Sequence, residues 1–193
     1  MRRICVFCGS AAGIRPEYAA AARAVGQEIV RRGWALVYGG GRIGLMGIVA
    51  DAVLAGGGEV DGVLPRHLAR KEVRHDGLTR LHLVESMHER KAMMAGLADG
   101  FLSLPGGLGT VEEMTETLTW AQLGLHAKPC ALLDVAGYFA PLVAFLDHAV
   151  AEGFVRPEHR RLVLVGQDPV PLLDAMERWK PITVEKWLDR SET

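Results

Sequence analysis

Near-continuous apolar runs recur at 4–8, 34–38 and 101–104, each bounded by glycine or proline. Strands covered on both faces read this way, because neither face alternates with water. With the more mixed runs included, the candidate strands are 3–9, 34–40, 59–65, 78–84, 100–106 and 129–135. Between them, apolar positions recur at helical spacing over 16–32, 45–55, 87–97 and 110–123. Further helices are predicted over 138–152 and 170–179. Proline stands near the start of the first helix and Gly33 just past its end, the usual asymmetry of helix termini. Strand–helix alternation with short connections predicts an α/β fold: one doubly wound, mostly parallel, Rossmann-like sheet with helices on both faces. No repeat, linker or low-complexity segment interrupts the pattern, so 1–193 is expected to form one nucleotide-binding-like domain.

In such sheets the ligand lies in the crevice beyond the carboxyl ends of the strands. Three predicted strand ends carry glycine-rich turns, "CGSAAG" (8–13), "GGGRIG" (39–44) and "PGGLGT" (105–110). Bare turns gathered on one edge let backbone N–H groups approach an anion. This makes Gly9, Ser10, Gly40 and Gly41 candidate nucleotide contacts, with Met87 at the next strand end. "GGGRIG" also fits G-x-G-x-x-G, with Glu59 and Asp61 about twenty residues on. It follows the second strand rather than the first, and no hydride-transfer partner is evident. A mononucleotide therefore fits better than a nicotinamide or flavin.

"PGGLGT" lacks the lysine of a Walker loop, which disfavours nucleoside-triphosphate hydrolysis. It has what one phosphate requires. Gly106, Gly107 and Gly109 leave the backbone bare, Thr110 offers a hydroxyl, and the following helix presents its N-terminus. Glu112 and Glu113 project about 100° apart, so one can face the crevice. A carboxylate one turn below a bound phosphate lies near the sugar of a nucleoside 5′-monophosphate. The preceding helix opens with His88, Arg90 and Lys91. Cations in a first turn oppose the helix dipole, which points to function for Arg90. Lys91 as a Schiff-base lysine lacks an evident pyridinium partner.

Composition narrows the field. Of 193 residues, 49% are hydrophobic and 23% charged, and the net charge is −1, without the basic excess of a general nucleic-acid binder. No apolar run approaches the roughly 18 residues of a membrane span, and no secretory h-region is present, so a cytoplasmic protein is expected. Cys5 and Cys8 form a C-x-x-C inside a strand, where residues three apart point to opposite faces, so a structural reading is preferred. His67, His75, His82, His126 and His159 show no ligand spacing, and no metal or cofactor is expected.

"SMHERK" followed by "LPGGLGTVEEMTETLTWAQLGLHAKP", with "CVFCGS" and "VYGGGRIGLMG" upstream, strongly resembles the LOG family of cytokinin riboside 5′-monophosphate phosphoribohydrolases. The resemblance covers roughly residues 3–155. It implies hydrolysis of the N-glycosidic bond of N6-modified adenosine 5′-monophosphates, giving free base and ribose 5-phosphate. By motif it implies Arg90 and Glu113 as the catalytic pair. Lys91, Gly106, Gly107, Leu108, Gly109, Thr110, Val111, Glu112, Thr119 and, by position, Glu72 are implied as substrate contacts. It also implies a homodimer. The alternatives are a broader AMP or nucleoside-5′-monophosphate nucleosidase, and a non-catalytic nucleotide-binding protein. Members of this family are often labelled lysine decarboxylases, a label the residues do not support.

Overall fold

The computed structural model describes residues 1–69 and 74–182. Its strands are β1 (Arg3–Phe7), β2 (Ala35–Tyr38), β3 (Val60–Pro65), β4 (Arg80–Val84), β5 (Gly100–Ser103), β6 (Cys130–Leu133) and β7 (Val163–Gly166). They form one sheet in the order β4-β3-β2-β1-β5-β6-β7, and every ladder is parallel. Cys5 at the centre of β1 pairs with Val37 on one side and Phe101 on the other. The chain builds outward from β1 to β4, then returns to place β5 on β1's free side. The order therefore reverses between β1 and β5, and the turns leaving those two strands flank the switch point.

The two faces bury separate cores. Ile4, Val6 and Cys8 pack with α1 (Pro16–Arg31), α2 (Gly44–Ala55) and α8 (Pro169–Arg178) through Val25, Ile29, Val49, Val53, Leu172 and Leu173. Cys5 and Phe7 face α4 (Met87–Leu97), α5 (Leu108–Gln122) and α6 (Ala140–Ala151) through Met94, Met114 and the half-buried Leu142 and Leu146. Cys5 and Cys8 thus belong to opposite cores. Burial pushes all three thiols up, that of Cys130 to about 12, so none is a ready nucleophile at neutral pH.

The observed elements depart from expectation at β7, at the starts of two helices and in two short added helices. β7 was not foreseen, because its apolar run is only four residues long and sits half-exposed at the sheet edge. The helix expected from 138 begins at Ala140, after a 3-10 turn over Val135–Gly137 where Ala136 adopts φ 52°. The helix expected from 110 begins at Leu108, which brings Gly109 and Thr110 inside its first turn. Short helices α3 (Arg66–Ala69) and α7 (Pro157–Arg160) complete the described elements. No described helix is long and apolar enough to cross a membrane.

Candidate active site

A cleft of about 530 Å3 opens at the carboxyl edge of the sheet. Cys8, Gly9 and Ser10 line it from the turn after β1, and Gly39, Gly41, Ile43 and Met46 from the turn after β2 and the start of α2. Met87 and Arg90 of α4 and Gly107, Leu108, Gly109, Thr110, Glu112 and Glu113 around the start of α5 close the other side. Leu64 and Leu68, at the end of β3 and in α3, add to an apolar wall with Ile43, Met46 and Met87. Of this wall the sequence points only to Met87; Ile43, Met46, Leu64 and Leu68 carry no sequence signal that sets them apart from other apolar residues.

The three bare turns are laced together by their own backbone. Gly9 N donates to Pro105 O at 3.0 Å, and Gly9 O accepts from Leu45 N at 3.0 Å. Gly44, at φ 60°, lies so close to the Ser10 carbonyl that no β-carbon would fit. Gly40 turns away from the cleft, its carbonyl accepting from His75 N at 3.0 Å. The amide of Gly9 is therefore committed to the protein, and the free donors lie elsewhere.

Those donors are at the start of α5. The first helical bond runs from Val111 N to Gly107 O at 3.2 Å, so the N–H groups of Leu108, Gly109 and Thr110 have no acceptor within the helix. Aligned with the positive end of a four-turn helix, they are free to donate to an anion. The glycines differ in purpose. A β-carbon on Gly106 would collide with Thr110 and the amide of Gly9, so packing demands a glycine there. On Gly107 or Gly109 it would meet nothing within 4 Å. Bareness at those two positions leaves open floor, which suits a ligand rather than the fold.

One turn further on, the carboxylate of Glu113 is 11% exposed and accepts from Arg90 Nη1 at 2.6 Å. Arg90 is itself fixed, donating through Nε to Val63 O at 3.1 Å and packing its guanidinium against the α-carbon of Gly39. Its helix is started by Ser86, whose Oγ accepts from Glu89 N at 3.1 Å, while the acidic Glu89 offsets the cations of the first turn. Burial pushes the Glu113 carboxyl up, and the opposing pull of Arg90 does not cancel it, so it stays above the ordinary glutamate range.

Lys91 donates to Glu112 Oε1 at 2.5 Å and to Glu116 Oε1 at 3.0 Å. Burial alone would favour its neutral form, yet the two carboxylates outweigh it and hold the ammonium above the usual lysine value. A Schiff-base lysine needs the opposite, a free and readily deprotonated amine.

The other expected contacts are placed as follows. Thr119 lies on the outer face of α5, its hydroxyl donating to Thr115 O at 2.7 Å, beside a separate depression shared with Leu118, Gln122 and Leu146. Val111 is half-buried outside the cleft lining, and Leu108 stands 90% exposed at its lip. Glu72 lies outside the described residues. Among the described residues no His, Cys, Asp or Glu cluster could hold a metal ion.

Fold and cleft together define a class: Rossmann-like α/β proteins with an open helix N-terminus at the switch point. Solved structures share the architecture. The molybdenum cofactor carrier protein of Chlamydomonas reinhardtii superposes with TM-score 0.70 at 22% identity, over 92% of this chain and 96% of that one. The molybdenum cofactor binding protein of Rippkaea orientalis gives 0.68 at 19%, over 91% and 95%. At such identities the likeness is one of fold alone. The family described as "possible lysine decarboxylase" matches residues 46–176. The probable cytokinin riboside 5′-monophosphate phosphoribohydrolase LOGL9 of Oryza sativa subsp. japonica is 52% identical over 94% of this chain and 80% of its own length. The cytokinin riboside 5′-monophosphate phosphoribohydrolase LOG7 of Arabidopsis thaliana is 48% identical, over 93% and 83%. The chain belongs to the LOG family.

Proposed function

We propose that this protein hydrolyses the N-glycosidic bond of N6-modified adenosine 5′-monophosphates, releasing the base and ribose 5-phosphate. The observation that carries the reading is the buried Arg90–Glu113 pair one turn below the open amides of α5. The phosphate sits on the amides of Leu108, Gly109 and Thr110, and the ribose extends toward Glu113. Loss of the base leaves an oxocarbenium-like sugar, which the carboxylate stabilises while accepting a proton from the attacking water. Water adds at C1′, the C1′–N9 bond breaks with its electrons going to the base, and the base takes up a proton. The raised carboxyl of Glu113 makes it a stronger base than an exposed glutamate. Arg90 fixes that carboxylate and meets the ribose, and binding energy from the phosphate orients the sugar. The wall of Ile43, Met46, Leu64, Leu68 and Met87 receives the purine and an apolar N6 substituent. Relatives named for cytokinin riboside 5′-monophosphate support this substrate.

The same reading extends to assembly and place. A homodimer is proposed, supported by α6, whose sequence APLVAFLDHAVA fully buries none of its residues, and by the exposed Phe145, Leu123 and Leu125 nearby in the chain. The cytoplasm is the proposed compartment, where free thiols persist.

Incubation with isopentenyladenosine 5′-monophosphate and, separately, with AMP, followed by chromatography of the free bases, tests the function. Release of the isopentenylated base in excess supports it, equal release points to the broader nucleosidase, and binding without release points to a non-catalytic nucleotide binder.

A further inference from the structure

Three successive carbonyls of the turn after β5 are each held from behind. Pro105 O accepts from Gly9 N at 3.0 Å, and Gly107 O from Val111 N at 3.2 Å. Between them, Gly106 O accepts from the phenol of Tyr138 at 2.5 Å. The outer two bonds belong to the backbone, whereas the middle one comes from a side chain 32 residues away. In a trans peptide the C=O and N–H point to opposite sides. Drawing Gly106 O toward Tyr138 therefore turns Gly107 N–H the other way, toward the cleft that Gly107 lines.

The Gly106–Gly107 peptide lies between two carbonyls bonded to the backbone. It joins two glycines, and glycine at 107 tolerates the dihedrals of a reversed orientation, with open space around its α-carbon. Reversed, the unit would aim a carbonyl oxygen at the proposed phosphate site. Tyr138 is itself well held. Its ring meets Tyr18 edge-on at 5.7 Å and Phe139 at 5.1 Å. Phe139 N donates to Asp134 Oδ1 at 2.6 Å, and the left-handed Ala136 and Gly137 (φ 52° and 75°) swing the phenol back across the sheet edge. Tyr18 also packs under Gly13, where a β-carbon would stand 2.6 Å from its ring. Tyr138 does not line the cleft.

We propose that Tyr138 is a positioning residue, whose hydroxyl latches the Gly106–Gly107 peptide with its N–H toward the cleft and so sets affinity for the substrate's phosphate. This rests on the reading of the cleft as a nucleoside 5′-monophosphate site. Tyr138→Phe keeps both ring contacts and removes only the hydroxyl. Its KM for isopentenyladenosine 5′-monophosphate should rise about fivefold, the equivalent of one ordinary hydrogen bond. Affinity for ribose 5-phosphate in calorimetry should fall by the same factor, with kcat and melting temperature close to wild type. Tyr18→Phe, which leaves the latch in place, should match wild type in all four readouts. Wild-type KM and ribose 5-phosphate affinity in Tyr138→Phe would overturn the proposal while leaving the function intact. A marked drop in melting temperature would overturn it in favour of a purely structural bond. A wild-type protein that neither turns over the nucleotide nor binds ribose 5-phosphate would remove the function itself, and the latch with it.

Discussion

Asp61 and Glu113 are both buried carboxylates touching an arginine, yet their surroundings drive their proton affinities apart. Asp61, 1% exposed in β3, accepts from Arg80 Nε at 2.7 Å and Nη2 at 3.0 Å, and bonds His82 Nε2 at 2.9 Å. Burial raises its carboxyl, but these partners and the nearby Arg3 more than reverse that, and it lies below the ordinary aspartate range. Glu113 has one arginine on one oxygen, and its Oε2 has no hydrogen-bond partner among the described residues. Burial wins there, and the carboxyl is held up. A carboxylate with every partner in place is held ionised, whereas one left a partner short keeps its proton more tightly, the property the proposed general base would use.

The two sites also respond oppositely to pH. Asp61 contributes stability that is present above the ordinary aspartate value and is lost as pH falls through its lowered native value. For Glu113 the fold favours the protonated form. Its ionisation therefore costs stability as pH rises from the ordinary glutamate value through the raised native one.

Substitutions at and around the two carboxylates separate their roles. The largest effect is expected from Glu113→Gln, with kcat lower by about 10^3-fold, or about 4 kcal/mol of transition-state stabilisation, and an intact fold. Wild-type turnover in that variant would erase the distinction between the two carboxylates. Arg90→Lys keeps a charge but loses the planar fork that joins Glu113 to the Val63 carbonyl. Its kcat/KM should fall by about 10- to 100-fold, read in steady-state assays. Asp61→Asn should leave kcat/KM unchanged and cost about 1–2 kcal/mol in urea unfolding at neutral pH. The cost is modest because Arg80 and His82 are 40% and 31% exposed and can return to water. The mildest signature is the acid limb of kcat/KM against pH, which should lie above the ordinary glutamate value near 4.3, with activity lost as pH falls through it. A limb at or below that value would place Glu113 with Asp61.

Much of this was legible in the sequence, for reasons that also mark where legibility stops. Buried strands such as β1 (Arg3–Phe7) betray themselves because neither face can be polar. β7 escaped because at an edge a four-residue apolar run has no such signature. Arg90 and Glu113 stood out locally, one a cation at the start of a helix, the other an acid one turn into the next. Asp61 stands about twenty residues beyond a glycine fingerprint that the sequence already disfavours as a dinucleotide site, and the structure commits it to Arg80 and His82, 19 and 21 residues on. Such partners are set by strand register, which spacing alone does not reveal. Tyr138 was hidden for the same reason, read only as the start of a helix while its hydroxyl reaches across to Gly106. α5 starts two residues earlier than the pattern predicts because Gly109 looks like loop, although it lies in the helix's first turn with open space beside it.

A structure of the Glu113→Gln variant with AMP bound would show where the phosphate and the ribose lie. Phosphate oxygens are expected on the amides of Leu108, Gly109 and Thr110, with C1′ of the ribose within about 4 Å of the side chain at position 113. A phosphate seated away from those amides, or a ribose turned from position 113, would contradict the proposed function.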